Sequence, residues 1–338
     1  MIFKVGIVGY GVVGKRRHDA IKKVSDFQVI ALSDINFDKN NKLSGLNCYS
    51  DFKDLISNEN LDVLFISLPN KFAAEATLLG LKSGAHVFCE KPPAKTLNEL
   101  EPIKKFLLSS DLKLMYGFNH RFHSSVMKAY QIIRENKFGK VINLKGTYGK
   151  SKMISFNQTD WRTSRSESGG GILLDQGIHM LDLMNYFVGG FNEVFSIIQN
   201  SFWNFDVEDN AFILMKNKDG VVAQLHSSAT QWRHTFNLEI TLEKGSLILG
   251  GLLTGSKSYG EETLKLIYAD PDNDKGDPKE ETITYDEDIS WDEEIRRFTS
   301  AVRNSDKIEN GSIDQAIEIM DLIEKIYKAD PIWKEKYY

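Results

Sequence analysis

Up to about Phe118 the chain alternates short apolar runs with stretches of helical spacing. Val5 to Val8, Gln28 to Ser33, Asp62 to Ser67, Ala85 to Cys89 and Lys113 to Phe118 read as strands, several of them apolar on both sides. Between them, Val13 to about Ser25, a short segment near Leu55, and Ala73 to Ser83 closed by Gly84 read as helices. A further helix lies between Leu97 and Leu108, kinked at Pro102 or beginning near it. Repeated β-α-β of this kind predicts a doubly wound parallel sheet covered on both faces, over residues 1–120.

After Asn119 the period changes. One helix, Ser124 to Asn136, precedes a series of alternating segments: Val141 to Tyr148, Val194 to Phe202, Ala211 to Lys216, Val221 to Ser228, Phe236 to Leu242, Ser246 to Gly250, Leu264 to Tyr268 and Thr282 to Tyr285. They predict an α+β domain over 121–338, with a large open, mostly antiparallel sheet. Asp270 to Glu281, acidic and holding Pro271, Gly276 and Pro278, reads as a solvated loop. Two helices close the chain, with capping-box signatures at Ser290/Glu293 and Ser312/Gln315.

Composition narrows the picture. The chain has 338 residues, 41% hydrophobic and 26% charged, which suits a two-domain globular protein. A net charge of −5 without basic clustering gives no nucleic-acid surface. Cys48 and Cys89 stand far apart, without the spacing of a disulfide framework or zinc site. No run is apolar and long enough to span a bilayer. The first residues form a strand, not a secretory leader, so a cytoplasmic address is expected and the triplets Asn157-Gln-Thr159 and Asn310-Gly-Ser312 read as chance.

Gly9, Gly11 and Gly14 stand in G-x-G-x-x-G register between the first strand and the first helix. Such a turn brings a pyrophosphate against backbone N–H groups at a helix start. Asp34, about 20 residues on, can accept from the adenosine ribose hydroxyls and would repel a 2′-phosphate, and the next cation downstream is the distant Lys39. NAD is therefore the expected cofactor. The strand exits at Ser67, Pro69-Asn70 and Glu90-Lys91 fall at the same edge of the sheet.

Three clusters carry further chemistry. Lys91 is either a donor to a substrate oxygen or a surface lysine in a turn. Asp175 and His179, four apart, share a helical face, and the histidine suits proton transfer with Asp175 holding its tautomer. The plainer reading is a helix-start aspartate and a core histidine. Metal ligation with Asp182 is a third option, set aside because a dinucleotide would already supply redox chemistry. A basic group, Arg121, Lys150, Lys152, Arg162 and Arg165 with Trp161, precedes this cluster. Lys150 and Lys152 read as solvated. Arg121 and Arg162 suit a carboxylate or phosphate, unless they pair with Asp160, Glu167 or Asp182.

Taken together, the glycine turn, Pro69-Asn70, Glu90-Lys91-Pro92, Gly117-Phe-Asn-x-Arg121, Trp161-Arg162 and Asp175-x-Gly177-x-His179-x-x-Asp182 resemble the glucose–fructose oxidoreductase/inositol dehydrogenase (Gfo/Idh/MocA) family over nearly the whole chain. The resemblance implies a Rossmann domain and an open-sheet domain, assembled as homodimers or homotetramers through that sheet. It implies NAD-dependent interconversion of a secondary alcohol and a ketone on a sugar, cyclitol or sugar nucleotide, with no metal. On this resemblance Lys91, Asp175 and His179 are the catalytic positions. Val12, Val13, Ser67 and Glu90 join the glycines and Asn70 around the cofactor, with Glu90 near the nicotinamide ribose. Asn119, Arg121, Trp161 and Arg162 face the substrate. Ala73 departs from the family, which often has histidine there. A redox-neutral NAD-using glycosidase and a non-catalytic sensor or repressor are the alternatives on the same fold.

Overall fold

Strands buried on both faces need neighbours on both edges and helices above and below, and the first third of the chain supplies them. The structure is a computed structural model that describes residues 2–37, 43, 45–153, 161–273 and 276–338. Among the described residues, β1 (Phe3–Val8), α1 (Val12–Ile21), β2 (Phe27–Ser33), β3 (Asn47–Tyr49), α2 (Phe52–Asn58), β4 (Val63–Ile66), α3 (Asn70–Lys82), β5 (His86–Glu90), α4 (Glu101–Leu107) and β6 (Leu114–Gly117) form the first unit. Its six strands are parallel, in the order β3-β2-β1-β4-β5-β6. β3 has no counterpart in the sequence reading, because a three-residue edge strand presents no apolar run. Pro102 lies in the first turn of α4, behind a 3-10 turn at Leu97–Leu100, so the proline starts the helix instead of kinking it.

The second unit contains α5 (Ser124–Arg134), β7 (Val141–Gly149), α6 (Arg165–Ser168), α7 (Ile178–Val188), β8 (Phe191–Gln199), β9 (Asn210–Asn217), β10 (Val222–Ser228), β11 (Thr235–Leu242), β12 (Gly245–Gly250), β13 (Glu262–Tyr268) and β14 (Glu280–Tyr285). Its eight strands run β14-β13-β12-β11-β7-β10-β9-β8, antiparallel except for the parallel pair β7–β10. Alternate residues are buried along β9 and β11, as one covered face requires. The outer face leaves Phe195, Ile197, Phe212 and Leu214 exposed. β8 ends before Phe202 because Asp209 accepts from the backbone N–H groups of Ser201, Phe202 and Trp203, taking them off the ladder.

Three helices follow: α8 (Ser290–Asn304), α9 (Ile313–Ala329) and α10 (Pro331–Tyr337). α9 carries the expected capping box between Ser312 and Gln315. α8 does not, because the Ser290 hydroxyl donates to Asp288 at 2.6 Å. Nor does α8 belong to the second sheet. Its Ile295, Phe298 and Val302 pack into the first unit's core with Val5, Ile7, Phe65 and Phe88, so residues 290–304 depart from the expected 121–338 boundary. Among the described residues no helix is long and apolar enough to cross a membrane.

The return of α8 is pinned by one buried arginine. Arg17 of α1, 1% exposed, donates from Nε to Glu90 Oε1 at 2.5 Å, and its Nη2 lies 2.6 Å from Glu294 Oε2. The guanidinium also covers the rings of Phe88 and Trp291. Burial pushes the Glu294 carboxyl up to about 8, against the pull of Arg17. Arg17→Met would leave Glu90 and the buried Glu294 without the cation they share. The expected cost is about 3–5 kcal/mol, as for loss of one member of a buried ion pair, measured by urea unfolding. A loss below about 1 kcal/mol would show that the carboxylates do not depend on Arg17.

Candidate active site

The carboxyl ends of β1, β4 and β5 face the second sheet across a cavity of about 520 Å³. On the first side, Gly9 has φ +83°, and a Cβ there would lie 2.4 Å from the Ser67 carbonyl oxygen. A Cβ on Gly14 would meet Gly9 O at 2.0 Å. Gly11 caps α1 without any side-chain hydrogen bond, and the first turn, which holds Val12 and Val13, has no acidic residue. Uncapped N–H groups at a helix start that backbone can closely approach make an anion cradle, so the turn fits a dinucleotide pyrophosphate.

Val13, Ser67, Asn70, Glu90 and Lys91 line the cavity, and the buried Ser67 hydroxyl has no hydrogen-bond partner. Pro69 caps α3, and Asn70 donates from Nδ2 to Ser168 O at 2.8 Å, joining this edge to the second unit. Ala73 is buried within α3. Asp34 follows β2, where its Oδ1 accepts from the backbone and side chain of Asn36 at 3.0 and 2.8 Å. Lys39, Asp160 and the Asn157 triplet lie outside the described residues, while Asn310 Oδ1 accepts from Arg121.

Asp175 sits in a π-helical turn, Leu173–Gly177, that leads into α7. This wider turn replaces the regular helix the four-residue spacing predicts. The carboxylate faces three cations: Arg162 Nε at 3.5 Å, Lys150 Nζ at 3.9 Å and Lys91 Nζ at 4.0 Å. Lys91 also donates to the Asp175 carbonyl oxygen at 2.5 Å. Burial pushes the Asp175 carboxyl up, but Lys91, Arg162 and Lys150 outweigh it and its pKa falls below the ordinary value. Lys91 is lowered by burial, with Asp175 opposing. Asp175 does not hold the His179 tautomer as the sequence suggested, because Asp175 Oδ2 and His179 Nδ1 each lack a hydrogen-bond partner.

His179 is oriented by a ring instead. It stacks on His120, centroids 3.7 Å apart at 14°. His120 Nδ1 lies 3.1 Å from Asn119 Oδ1 and its Nε2 lies 3.1 Å from the Tyr148 hydroxyl. Asn119 is in turn tied to Ser290. Burial, then His120 and Lys91, hold His179 well below the usual histidine pKa, so it is neutral at physiological pH.

Two sequence expectations are corrected. Arg121 does not face the cleft. It is 2% exposed and grips Asp182 bidentately at 2.8 and 2.6 Å, which also separates Asp182 from Asp175 and His179. Lys150 is not solvated. It is 4% exposed and lines the cavity, and Lys152, also at the cavity, is exposed near the Trp203 ring. The signal was present in β7, where Leu144, Gly146, Tyr148 and Lys150 fall on one buried face. Trp161 and Arg162 line the cavity, with the guanidinium over the indole at 4.1 Å. Tyr148 of that same face also lines it, as do His120, Gln176 and Tyr259, and nothing in the spacing of these last three marked them. Among the described residues no group of three or more His, Cys, Asp or Glu is placed to hold a metal.

Comparison with known proteins gives the chain its context. Residues 3–118 match an oxidoreductase family with an NAD-binding Rossmann fold, and residues 126–248 match the GFO/IDH/MocA C-terminal domain. The chain belongs to the Gfo/Idh/MocA family. Its cofactor is NAD. Among its relatives, a levoglucosan dehydrogenase of Pseudarthrobacter phenanthrenivorans is 30% identical over 45% of this chain and 39% of that protein. A myo-inositol 2-dehydrogenase of Thermotoga maritima is 26% identical over 67% of this chain and 68% of that one. The solved levoglucosan dehydrogenase with NADH and levoglucosan superposes with a TM-score of 0.84 at 20% identity, covering 98% of both chains, which shows a shared fold.

This Gfo/Idh/MocA cleft carries an internal cost at Lys150. Burial, with Lys91 and Arg162, pushes its pKa down to about 7 from 10.5, and Asp175 only partly opposes this. Between those values the unfolded chain holds a proton that the folded chain lacks, so stability rises with pH across the window and the full penalty applies below it. Lys150→Met is expected to raise Tm at pH 7, by a margin that shrinks towards pH 10.5. A margin independent of pH, in scanning calorimetry, would contradict this.

Proposed function

We propose that this protein is an NAD-dependent dehydrogenase that interconverts a secondary alcohol and a ketone on a sugar, cyclitol or sugar nucleotide. The observation that carries this reading is the convergence of Lys91, Asp175 and His179 on a single cavity beside the glycine cradle. Relatives named as myo-inositol 2-dehydrogenase and, in Escherichia coli, D-glucoside 3-dehydrogenase support a polyol substrate.

NAD, when bound, supplies the hydride acceptor. The chain's own residues manage the proton and the oxygen. A neutral His179 can take a proton from the substrate hydroxyl at a ring nitrogen, and its low pKa makes it a ready donor in the reverse direction. Lys91 spends one N–H on the Asp175 carbonyl, leaving others for the substrate oxygen as negative charge builds there. Burial lowers the pKa of the lysine, and Asp175 opposes that by favouring its charged form. Glu90 is held by Arg17. The carbohydrate lies against Trp161 and Arg162.

Lys91→Ala and His179→Ala are each expected to lower turnover about 100-fold or more, the usual contribution of a proton-transfer group, while NADH still binds in fluorescence titration. Turnover within about threefold of the parent would remove that residue from the mechanism. Asp34 is assigned to the adenosine ribose, so Asp34→Ala is expected to narrow the preference for NADH over NADPH. An unchanged ratio of the two dissociation constants would assign the preference elsewhere.

A further inference from the structure

Around the Asp175 carboxylate, Lys150 Nζ, Asp175 Oδ2 and His179 Nδ1 are buried without a hydrogen-bond partner, in addition to the Ser67 hydroxyl across the cavity. Buried polar groups are normally satisfied within the fold, and an unsatisfied one calls for an explanation. Lys150 is buried with mostly like charge around it. Its ammonium is 4% exposed, and two of the three charged groups nearest to it, Lys91 and Arg162, repel it. The third, Asp175, stands 3.9 Å away, beyond hydrogen-bonding range. Burial, then Lys150, lowers the pKa of His234, the residue before β11. Nothing in the packing requires a charge here, since Lys150 continues a face otherwise made of Leu144, Gly146 and Tyr148.

The same separation repeats on the other edge of the carboxylate. Lys91 Nζ stands 4.0 Å from Oδ1, and Lys150 Nζ stands 3.9 Å from Oδ2. Each gap is too wide for a direct hydrogen bond and suits one hydroxyl oxygen, which accepts from the lysine and donates to the carboxylate at about 2.8 Å on each side. Two such hydroxyls on one carboxylate are met most simply by a polyol that carries them on neighbouring carbons, because the two carboxylate oxygens share one carbon. Resting on the dehydrogenase reading above, we propose that Lys91–Asp175–Lys150 is a reader of vicinal diols. The hydroxyl between Lys91 and Oδ1 is the one oxidised. The hydroxyl on the adjacent carbon lies between Lys150 and Oδ2, so Lys150 determines specificity for a polyol with that neighbour in place. With its pKa near 7, Lys150 is part ammonium and part amine at neutral pH, and both forms donate an N–H.

The test is a coupling measurement. The probes are myo-inositol and methyl β-D-glucoside with its full set of monodeoxy analogues, assayed by NADH formation with the parent, Lys150→Met and Lys150→Gln. NADH affinity serves as the control for folding. In the parent, removal of the hydroxyl next to the oxidised carbon is expected to lower kcat/KM about 10- to 100-fold, the effect of leaving a buried polar pair unmatched. Lys150→Met is expected to lower kcat/KM for the intact polyol similarly. In that variant the deoxy penalty is expected to shrink to about threefold or less, because the contact has already been lost. Lys150→Gln, which keeps an N–H donor, is expected to recover part of it. Penalties that multiply independently in the variants would overturn the assignment while leaving the dehydrogenase reading intact. A parent that binds NADH yet oxidises no polyol of the panel would overturn both.

Discussion

A carboxylate withdrawn from water keeps its charge only where nearby cations compensate for the lost hydration, and Asp175 has three of them. Each comes from a different part of the chain. Lys91 follows a strand of the first sheet, Lys150 follows β7 of the second, and Arg162 stands on the turn before α6. The π-helical turn aims the carboxylate at all of them. The cleft between the two sheets thus has the Asp175 carboxylate where three cations meet. Burial that would destabilise any one of these charges alone strengthens their mutual attraction.

The histidines follow a different logic. His179 and His120 stack in a pocket that lowers both pKa values well below the ordinary range, so neither adds a further positive charge beside Lys91. The ring of His120 is fixed through Asn119 and Tyr148, and Asn119 is held by Ser290 at the start of α8. The orientation of the His179 ring therefore traces back, contact by contact, to the helix that Arg17 ties to the first sheet.

Elements whose physics is local were legible in the sequence. The glycine turn, the two-sided apolar strands and the alternating strands of the second sheet each carry their period in a few residues. What escaped depends on distant partners. Arg121 looks the same in sequence whether it meets a ligand or Asp182, and only the approach of α7 decides it. Lys150 looked solvated because a lysine after a strand usually is, although the alternation of β7 already placed it on the buried face. The π-helical turn leaves no mark on a four-residue spacing. The capping signature at Ser290 lost to Asp288, which took the same hydroxyl.

The position of α8 also bears on how the chain comes to be folded. Phe298 closes against Phe27, Phe65 and Phe88, so the hydrophobic centre of the amino-terminal sheet is finished by a residue more than two hundred positions later. Loop closure over such a separation is slow, and contacts of this range raise contact order. During synthesis the first sheet emerges from the ribosome long before its last helix, with an apolar face uncovered through the whole translation of the second domain. The nucleotide-binding half is therefore not an independent folding unit that a second domain merely follows. Its completion is deferred to the carboxyl-terminal part of the chain, and the two halves mature together.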